Sequence, residues 1–362
     1  MASILLTGFP GFLGSELLPR ILVRRPADRV VCVVQAKFAD LARQRAAQIE
    51  ARDAAFRGRV EIAIGDITRP GLGLDDPAGV ARSLAEIVHL AAVYDIAVAR
   101  ALGMKVNVEG TRNVLELAQS ARKLERLQYV STCYVSGKYP GIFRETDLDK
   151  GQEFANFYEE TKFLAEVEVR NAMQGGLPAS IYRPSIVVGD SRTGETQKYD
   201  GPYFVIRWVM KQPTLAVLPV VGDTRRNRVN LVPRDFIIDA IDRLSGLKAA
   251  AGRTYQLADP EPPTIDETVR EIGRATGHVI LRTPLPLGVA KGAIDWVPGV
   301  HKLLEMPSEL LDYFVHPTYY DTSNTIADLA PLGIRCPRLF EFLPRLVAFM
   351  KAHPEITSDA MA

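Results

Sequence analysis

Six apolar runs divide the first half of the chain: Ile4–Thr7, Val30–Gln35, Val60–Ile64, Ile87–Leu90, Leu127–Ser131 and Ala179–Tyr182. Amphipathic stretches such as Asp40–Arg52, Val106–Ala121 and Tyr158–Met173 lie between them. A strand that is apolar almost throughout has to be covered on both faces, as in a parallel sheet sandwiched by helices. Crossovers in such a sheet are right-handed, so the pattern predicts a doubly wound α/β domain of the Rossmann type. From Pro184 onward the alternation fades, prolines and glycines become frequent, and aromatic residues cluster at Tyr199, Tyr203, Phe204 and Trp208. Residues 1–184 are therefore expected to form the Rossmann domain, with 225–260 returning to it through Val229–Leu244 and Thr254–Ala258. Residues 185–224 and 261–362 are expected to form a smaller substrate-binding lobe that caps it, ending in a loose tail at Thr357–Ala362.

Bulk properties exclude several classes. The 362 residues carry a formal net charge of +1, with 24% charged and 47% hydrophobic side chains. Cations are scattered, apart from Arg225, Arg226 and Arg228, which argues against a nucleic-acid partner. Cys32, Cys133 and Cys336 lie far apart with no ligand spacing, so neither a disulfide framework nor a metal site is expected. Met1-Ala2-Ser3 runs straight into the first strand, with no room for a signal peptide. The most apolar long segment, Tyr203–Val221, is broken by Arg207, Lys211 and two prolines, short of a transmembrane helix. A cytoplasmic protein is expected, with room for peripheral membrane contact and for a homodimer; the apolar stretch Gly201–Gly222 fits a lipophilic tunnel, ordinary core or a dimer surface.

Behind the first strand stands "TGFPGFLG", in which Gly8, Gly11 and Gly14 are spaced three apart. In such a loop one glycine permits the tight turn, one lets the backbone approach a phosphate, and one allows close helix–sheet packing. The helix that follows presents free amides and the positive end of its dipole. Pro10 cannot donate, so Phe12 and Leu13 are the expected pyrophosphate donors. Pro19 is expected to kink this helix beyond its phosphate end.

The second strand ends at Gln35, where a carboxylate would bind the ribose diol of NAD. Lys37, Arg43 and Arg45 follow, so the charge at this corner favours the 2′-phosphate of NADP(H). Asp66, after the third strand, is placed to accept from the adenine amino group.

"YEETK" sets Tyr158 and Lys162 four residues apart, on one face of a helix. A cation beside a phenol stabilises the phenolate and is expected to lower its pKa, which suits Tyr158 to acid/base work on a carbonyl or alcohol. Upstream, "VSTCYVSG" (Val130–Gly137) places Thr132 at the end of a strand, able to hydrogen-bond the same carbonyl oxygen. His89 is expected to have a structural role near the cofactor, and Cys133 to be a small buried hydrophobe.

The ordered set "TGFPGFLG", "GDIT" (Gly65–Thr68), "HLAA" (His89–Ala92), "NVEGT" (Asn107–Thr111), "VSTCYVSG" and "YEETK" resembles the extended short-chain dehydrogenase/reductases. With "QAKFADLARQR" (Gln35–Arg45) and "RPSIVVGDSRTGE" (Arg183–Glu195), the resemblance is closest to the thioester-reductase and fatty acyl-CoA reductase branch, the male-sterility-like proteins. It implies hydride transfer from NADPH with Tyr158 as proton donor. Lys162 would bind the nicotinamide ribose, Thr132 would polarise the carbonyl, and Asn107 would organise a proton-relay water. It further implies cofactor contacts at Phe9, Ile67, Leu90, Ala91, Ala92, Ser131, Pro184 and Ile186. The branch carries Arg where Gln35 stands, and Pro284–Glu355 departs from the usual C-terminal domain of fatty acyl-CoA reductases. The expected function is an NADPH-dependent reductase of a hydrophobic acyl thioester or aldehyde. The alternatives are an NAD(P)-dependent alcohol dehydrogenase or ketone reductase on a lipophilic, sterol-like substrate, and a non-catalytic NADP(H)-binding regulatory module.

Overall fold

The computed structural model describes residues 2–296 and 307–357. Thirteen short strands and a set of helices follow one another among these residues. The strands are β1 (Ser3–Thr7), β2 (Arg29–Val34), β3 (Val60–Ile64), β4 (Leu84–His89), β5 (Arg126–Val130), β6 (Gly141–Phe143), β7 (Ala179–Pro184), β8 (Ile186–Val188), β9 (Leu215–Val221), β10 (Leu231–Pro233), β11 (Thr254–Leu257), β12 (Val279–Leu285) and β13 (Thr318–Tyr320). The helices are α1 (Phe12–Arg24), α2 (Ala39–Glu50), α3 (Pro77–Ser83), α4 (Arg100–Gly103), α5 (Gly110–Ser120), α6 (Phe157–Gln174), α7 (Pro202–Met210), α8 (Arg234–Gly246), α9 (Ile265–Thr276), α10 (Leu287–Trp296), α11 (Ser323–Leu329) and α12 (Leu339–Ala352).

Seven strands form one parallel sheet in the order β11-β7-β5-β4-β1-β2-β3. The order reverses beside β1, which opens a crevice between β1 and β4 at the carboxyl edge of the sheet. Alternate residues of each strand serve opposite cores. Ile4, Leu6, Val30 and Cys32 pack with α1, α2 and α8, while Leu5, Val33, Ile87 and Tyr129 pack with α3, α5 and α6. This two-sided burial is why the strands read as continuous apolar runs. Helix α1 continues through Pro19, the expected site of a kink.

A separate cluster holds the second lobe together: α7, β9, α9 and α12 contribute Tyr203, Val209, Leu218, Ile272, Phe342 and Leu346. In the stretch Gly201–Gly222, Tyr203–Ile206 and Val209 are buried, whereas Leu215 and Val217 face outward. Two later segments join the first lobe. Strand β11 extends the main sheet, and α8 lies against α1, with Arg24 pairing to Asp242. Residues 318–334, expected in the capping lobe, also return: β13 pairs with β6, and Leu329 and Ile334 join the core beneath the sheet. The expected tail lies, from residue 358 on, outside the described residues.

Candidate active site

At the end of β1, Gly8 has a φ of +84°, a left-handed conformation that favours glycine. A Cβ there would stand 2.8 Å from Leu90 Cβ; one at Gly11 or Gly14 would stand 2.7 or 2.6 Å from the Gly8 carbonyl oxygen. The loop is thus closed onto itself and onto the "HLAA" segment. The first-turn amides of α1, among them Phe12 and Leu13, have no acceptor four residues back. A backbone cradle at this crevice, ending in free amides, fits a dinucleotide pyrophosphate. Thr7 supports it from below: its hydroxyl oxygen accepts from the amides of Leu90 and Ala91 at 3.2 and 3.1 Å.

The residues expected at the adenosine end take different positions. Arg45 turns inward, donating to the Pro10 carbonyl and to Ser15 Oγ, so its guanidinium braces the glycine loop. Arg43 is exposed and paired with Asp40 at 3.0 Å, and Lys37 lies over the Phe38 ring. Burial raises the Asp66 carboxyl, but hydrogen bonds from Thr68 and Gln35 and the charge of Arg69 outweigh it, so Asp66 sits below the usual carboxylate range. Ile67 packs onto Gly110, and its carbonyl accepts from Asn113 at 2.7 Å.

On the other side of β1, Thr132 follows β5 and caps the turn Cys133–Ser136, accepting from the Tyr134 amide. Its hydroxyl reaches the Pro184 carbonyl only at 3.4 Å. Helix α6 starts at Asn156, whose side chain accepts from the Glu159 amide, and brings Tyr158 against Thr132. Burial pushes the Tyr158 phenol up to about 12, the neighbouring Thr132 hydroxyl opposing it. The expectation that Lys162 lowers this pKa is not met. The Lys162 ammonium donates to the Val130 carbonyl at 2.9 Å and to Tyr129 Oη at 3.2 Å. Burial pulls it down to about 8, with Glu166 opposing. Tyr94 is half-exposed, with the Lys198 ammonium 4.2 Å from the centre of its ring.

Asn107 is spent on the fold. It lies in a wide helical turn, Met104–Glu109, ahead of α5. Its side chain bonds both backbone groups of Val93 and donates to Thr161 Oγ1 on α6 at 3.0 Å. Both amide hydrogens are committed, and the side chain ties the segment after β4 to α6. Ser131 is also committed, donating to the buried Glu166 carboxylate at 2.6 Å. Ile186 lies in β8, its amide bonded to the Asn230 carbonyl at 3.2 Å.

His89 bonds Thr7 and Thr111 through its two ring nitrogens, and burial, with the charge of Lys162, lowers it to about 3. It stays neutral, as a structural residue would. The Cys133 thiol, buried and donating to the Arg183 carbonyl, is raised well above its ordinary value and is no nucleophile. Sequence spacing missed Tyr129, Thr111 and Glu166, and also the aromatic group of Tyr134, Tyr313, His316 and Tyr320 around Thr132. The residues of that group come from segments some 180 positions apart, and no local pattern marks them. Beside them runs a groove lined by Arg228, Pro260, Tyr319 and Arg338.

Comparison with known proteins agrees with this geometry. The family model described as male sterility protein matches residues 6–241. A linear gramicidin synthase polypeptide of Brevibacillus parabrevis is 31% identical over 284 residues, covering 74% of this chain and 5% of that protein. The aldehyde reductase lnaA of Aspergillus flavus is 27% identical over 274 residues, covering 71% of this chain and 26% of that protein. The chain thus spans a small part of these curated relatives. The crystal structure of the terminal R domain from the myxalamid PKS-NRPS pathway is 27% identical, with a TM-score of 0.80, covering 99% of this chain and 93% of that one. The chain belongs to the male sterility protein family, in the thioester-reductase branch of the extended short-chain dehydrogenase/reductases, and is an NAD(P)-dependent oxidoreductase.

Proposed function

We propose that the chain is an NADPH-dependent reductase of a hydrophobic acyl thioester or aldehyde, with Tyr158 as the proton donor. One observation carries this reading. Thr132, Tyr158 and Lys162 meet at the carboxyl end of β5, and only β4 separates that strand from β1 and its glycine loop. The names of the relatives, a gramicidin synthase and an aldehyde reductase, favour an acyl or aldehyde substrate.

The glycine loop and the amides of Phe12 and Leu13 would hold the pyrophosphate, and Lys162 the nicotinamide ribose. When bound, the nicotinamide supplies the hydride. Thr132, whose present bond to Pro184 is long, turns its hydroxyl to the substrate carbonyl oxygen. A phenol held near 12 is fully protonated at neutral pH, the form needed to donate to a nascent alkoxide. Together the two hydroxyls stabilise the developing oxyanion. With a thioester, the hemithioacetal so formed expels the thiol and leaves the aldehyde. The groove beside Arg228 and Tyr319 leads to Tyr134, two residues from Thr132, and is the proposed substrate approach.

The test follows NADPH absorbance across acyl-CoA thioesters, long-chain aldehydes and, with NADP⁺, lipophilic alcohols. Consumption of NADPH with thioesters is the expected result; turnover with alcohols alone would replace this reading by the dehydrogenase one. Tyr158→Phe should lower turnover by about 10²-fold or more while cofactor binding persists. Unchanged turnover removes Tyr158 from the chemistry.

A further inference from the structure

Beneath Lys162 lies a buried group of hydrogen-bonding side chains. Thr111 Oγ1 donates to the Asn107 carbonyl at 2.6 Å, so its hydrogen is used there. It therefore accepts from His89 Nε2 at 3.2 Å. Thr7 Oγ1, already accepting from two amides, completes the histidine by donating to Nδ1 at 2.7 Å. Tyr129 stands next to this group, its ring 5.7 Å from that of His89. Its phenol oxygen accepts from the Lys162 ammonium at 3.2 Å, and the ammonium lies 4.8 Å from the centre of its ring. Tyr129, Thr111, His89 and Asn107 are each exposed by no more than 2%, so water does not compete for these bonds.

We propose that Tyr129 is a positioning residue of the hydride-transfer site: its phenol oxygen holds the Lys162 ammonium at the end of β5. The proposal rests on the reading of Tyr158 and Lys162 given above. The ammonium is held by two acceptors, the Val130 carbonyl at 2.9 Å and the Tyr129 oxygen at 3.2 Å, and burial strengthens both bonds. The other titratable groups facing Lys162 do not take this place. Glu166 acts on it electrostatically but is itself held by Arg183, Arg170 and Ser131, and His89 is neutral. The ammonium, already lowered to about 8 by burial, loses its proton on the alkaline side of neutrality. Removing the phenol oxygen takes away an acceptor of the charged form and lowers that point further.

Tyr129→Phe is expected to reduce kcat about tenfold and to move the high-pH limb of the kcat profile to lower pH. A packing defect alone would reduce turnover and leave the limb in place, and that outcome overturns the proposal. Lys162→Met and Tyr158→Phe are measured alongside. If those two retain full turnover, the reading of the site fails. If they lose it while the Tyr129→Phe limb is unmoved, only the role of Tyr129 fails. Should Tyr129→Phe not fold, Tyr129→Met, which also lacks the acceptor, must shift the limb in the same direction. A limb unmoved in Tyr129→Met is then the overturning result.

Discussion

At Gly14, the Cβ of any other residue would stand 2.6 Å from the Gly8 carbonyl oxygen and 2.9 Å from its carbonyl carbon, both backbone atoms that no rotamer can move aside. Gly14→Ala therefore has to displace the turn that aims the α1 amides. We expect NADPH binding to weaken by roughly tenfold or more, equivalent to about 1.4 kcal/mol, with the far-UV spectrum unchanged. Wild-type affinity in a fluorescence titration would show that the loop tolerates the shift. This cradle was legible in the sequence because a turn, a close approach and a helix start are local demands on consecutive residues. The contacts of Asn107 were not, because its partners Val93 and Thr161 come from other segments. Nor was the direction of the Tyr158 shift: spacing places a lysine four residues away but says nothing of the burial that dominates.

One helix carries much of the site's rigidity. Tyr158, Lys162, Glu166 and Arg170 follow at intervals of four along α6, so a single stripe holds the phenol, the ammonium and a buried ion-pair network. Glu166 pairs with Arg183 at 2.6 Å, both fully buried, and with Arg170 at 3.2 Å. Those arginines reach on to the carbonyls of Asp147 and Thr146, which pins the strap before α6 to β7. Glu166→Gln leaves Arg183 buried without a counter-charge, and we expect a loss of about 3–5 kcal/mol in urea denaturation. Burial raises Glu166, but Arg183 and Arg170 and the Ser131 bond prevail and hold its folded pKa below the ordinary 4.5. Its contribution is thus present above pH 4.5 and is lost as pH falls through the lower folded value. The acid-induced loss of stability should accordingly be smaller in Glu166→Gln than in the parent; equal slopes would assign that loss to other carboxylates. The bounds of α6 followed closely from its periodicity, expected at Tyr158–Met173 and found at Phe157–Gln174. The wide turn Met104–Glu109 did not, since a stretch expected as one helix from Val106 departs from the 3.6-residue repeat to bury Asn107.

Across the whole molecule, the sheet that carries the crevice at β1 and β4 is assembled from distant parts of the chain. The phosphate loop belongs to the first residues, whereas α8 and β11, which flank α1 and β7, come from beyond residue 230. A ligand seated there stabilises the assembled fold by linkage: at about 100 times its Kd it adds about 2.7 kcal/mol. The same linkage ranks the two nicotinamide cofactors. Gln35 follows β2 without a negative charge, and Asp66 Oδ1 accepts from the amide and hydroxyl of Thr68. Lys37 and Arg43 stay at the surface, and Arg45 adds a cation directly beneath the glycine loop. A 2′-phosphate would meet positive charge at this corner, and the ribose diol of NADH would find no carboxylate at the end of β2 to bind it. NADPH should therefore raise the thermal midpoint by several degrees and more than NADH does at equal concentration, with the difference shrinking as salt screens the exposed cations. A larger shift with NADH reverses the preference. A difference that does not respond to salt assigns the discrimination to Arg45, the one of the three cations turned inward against the backbone.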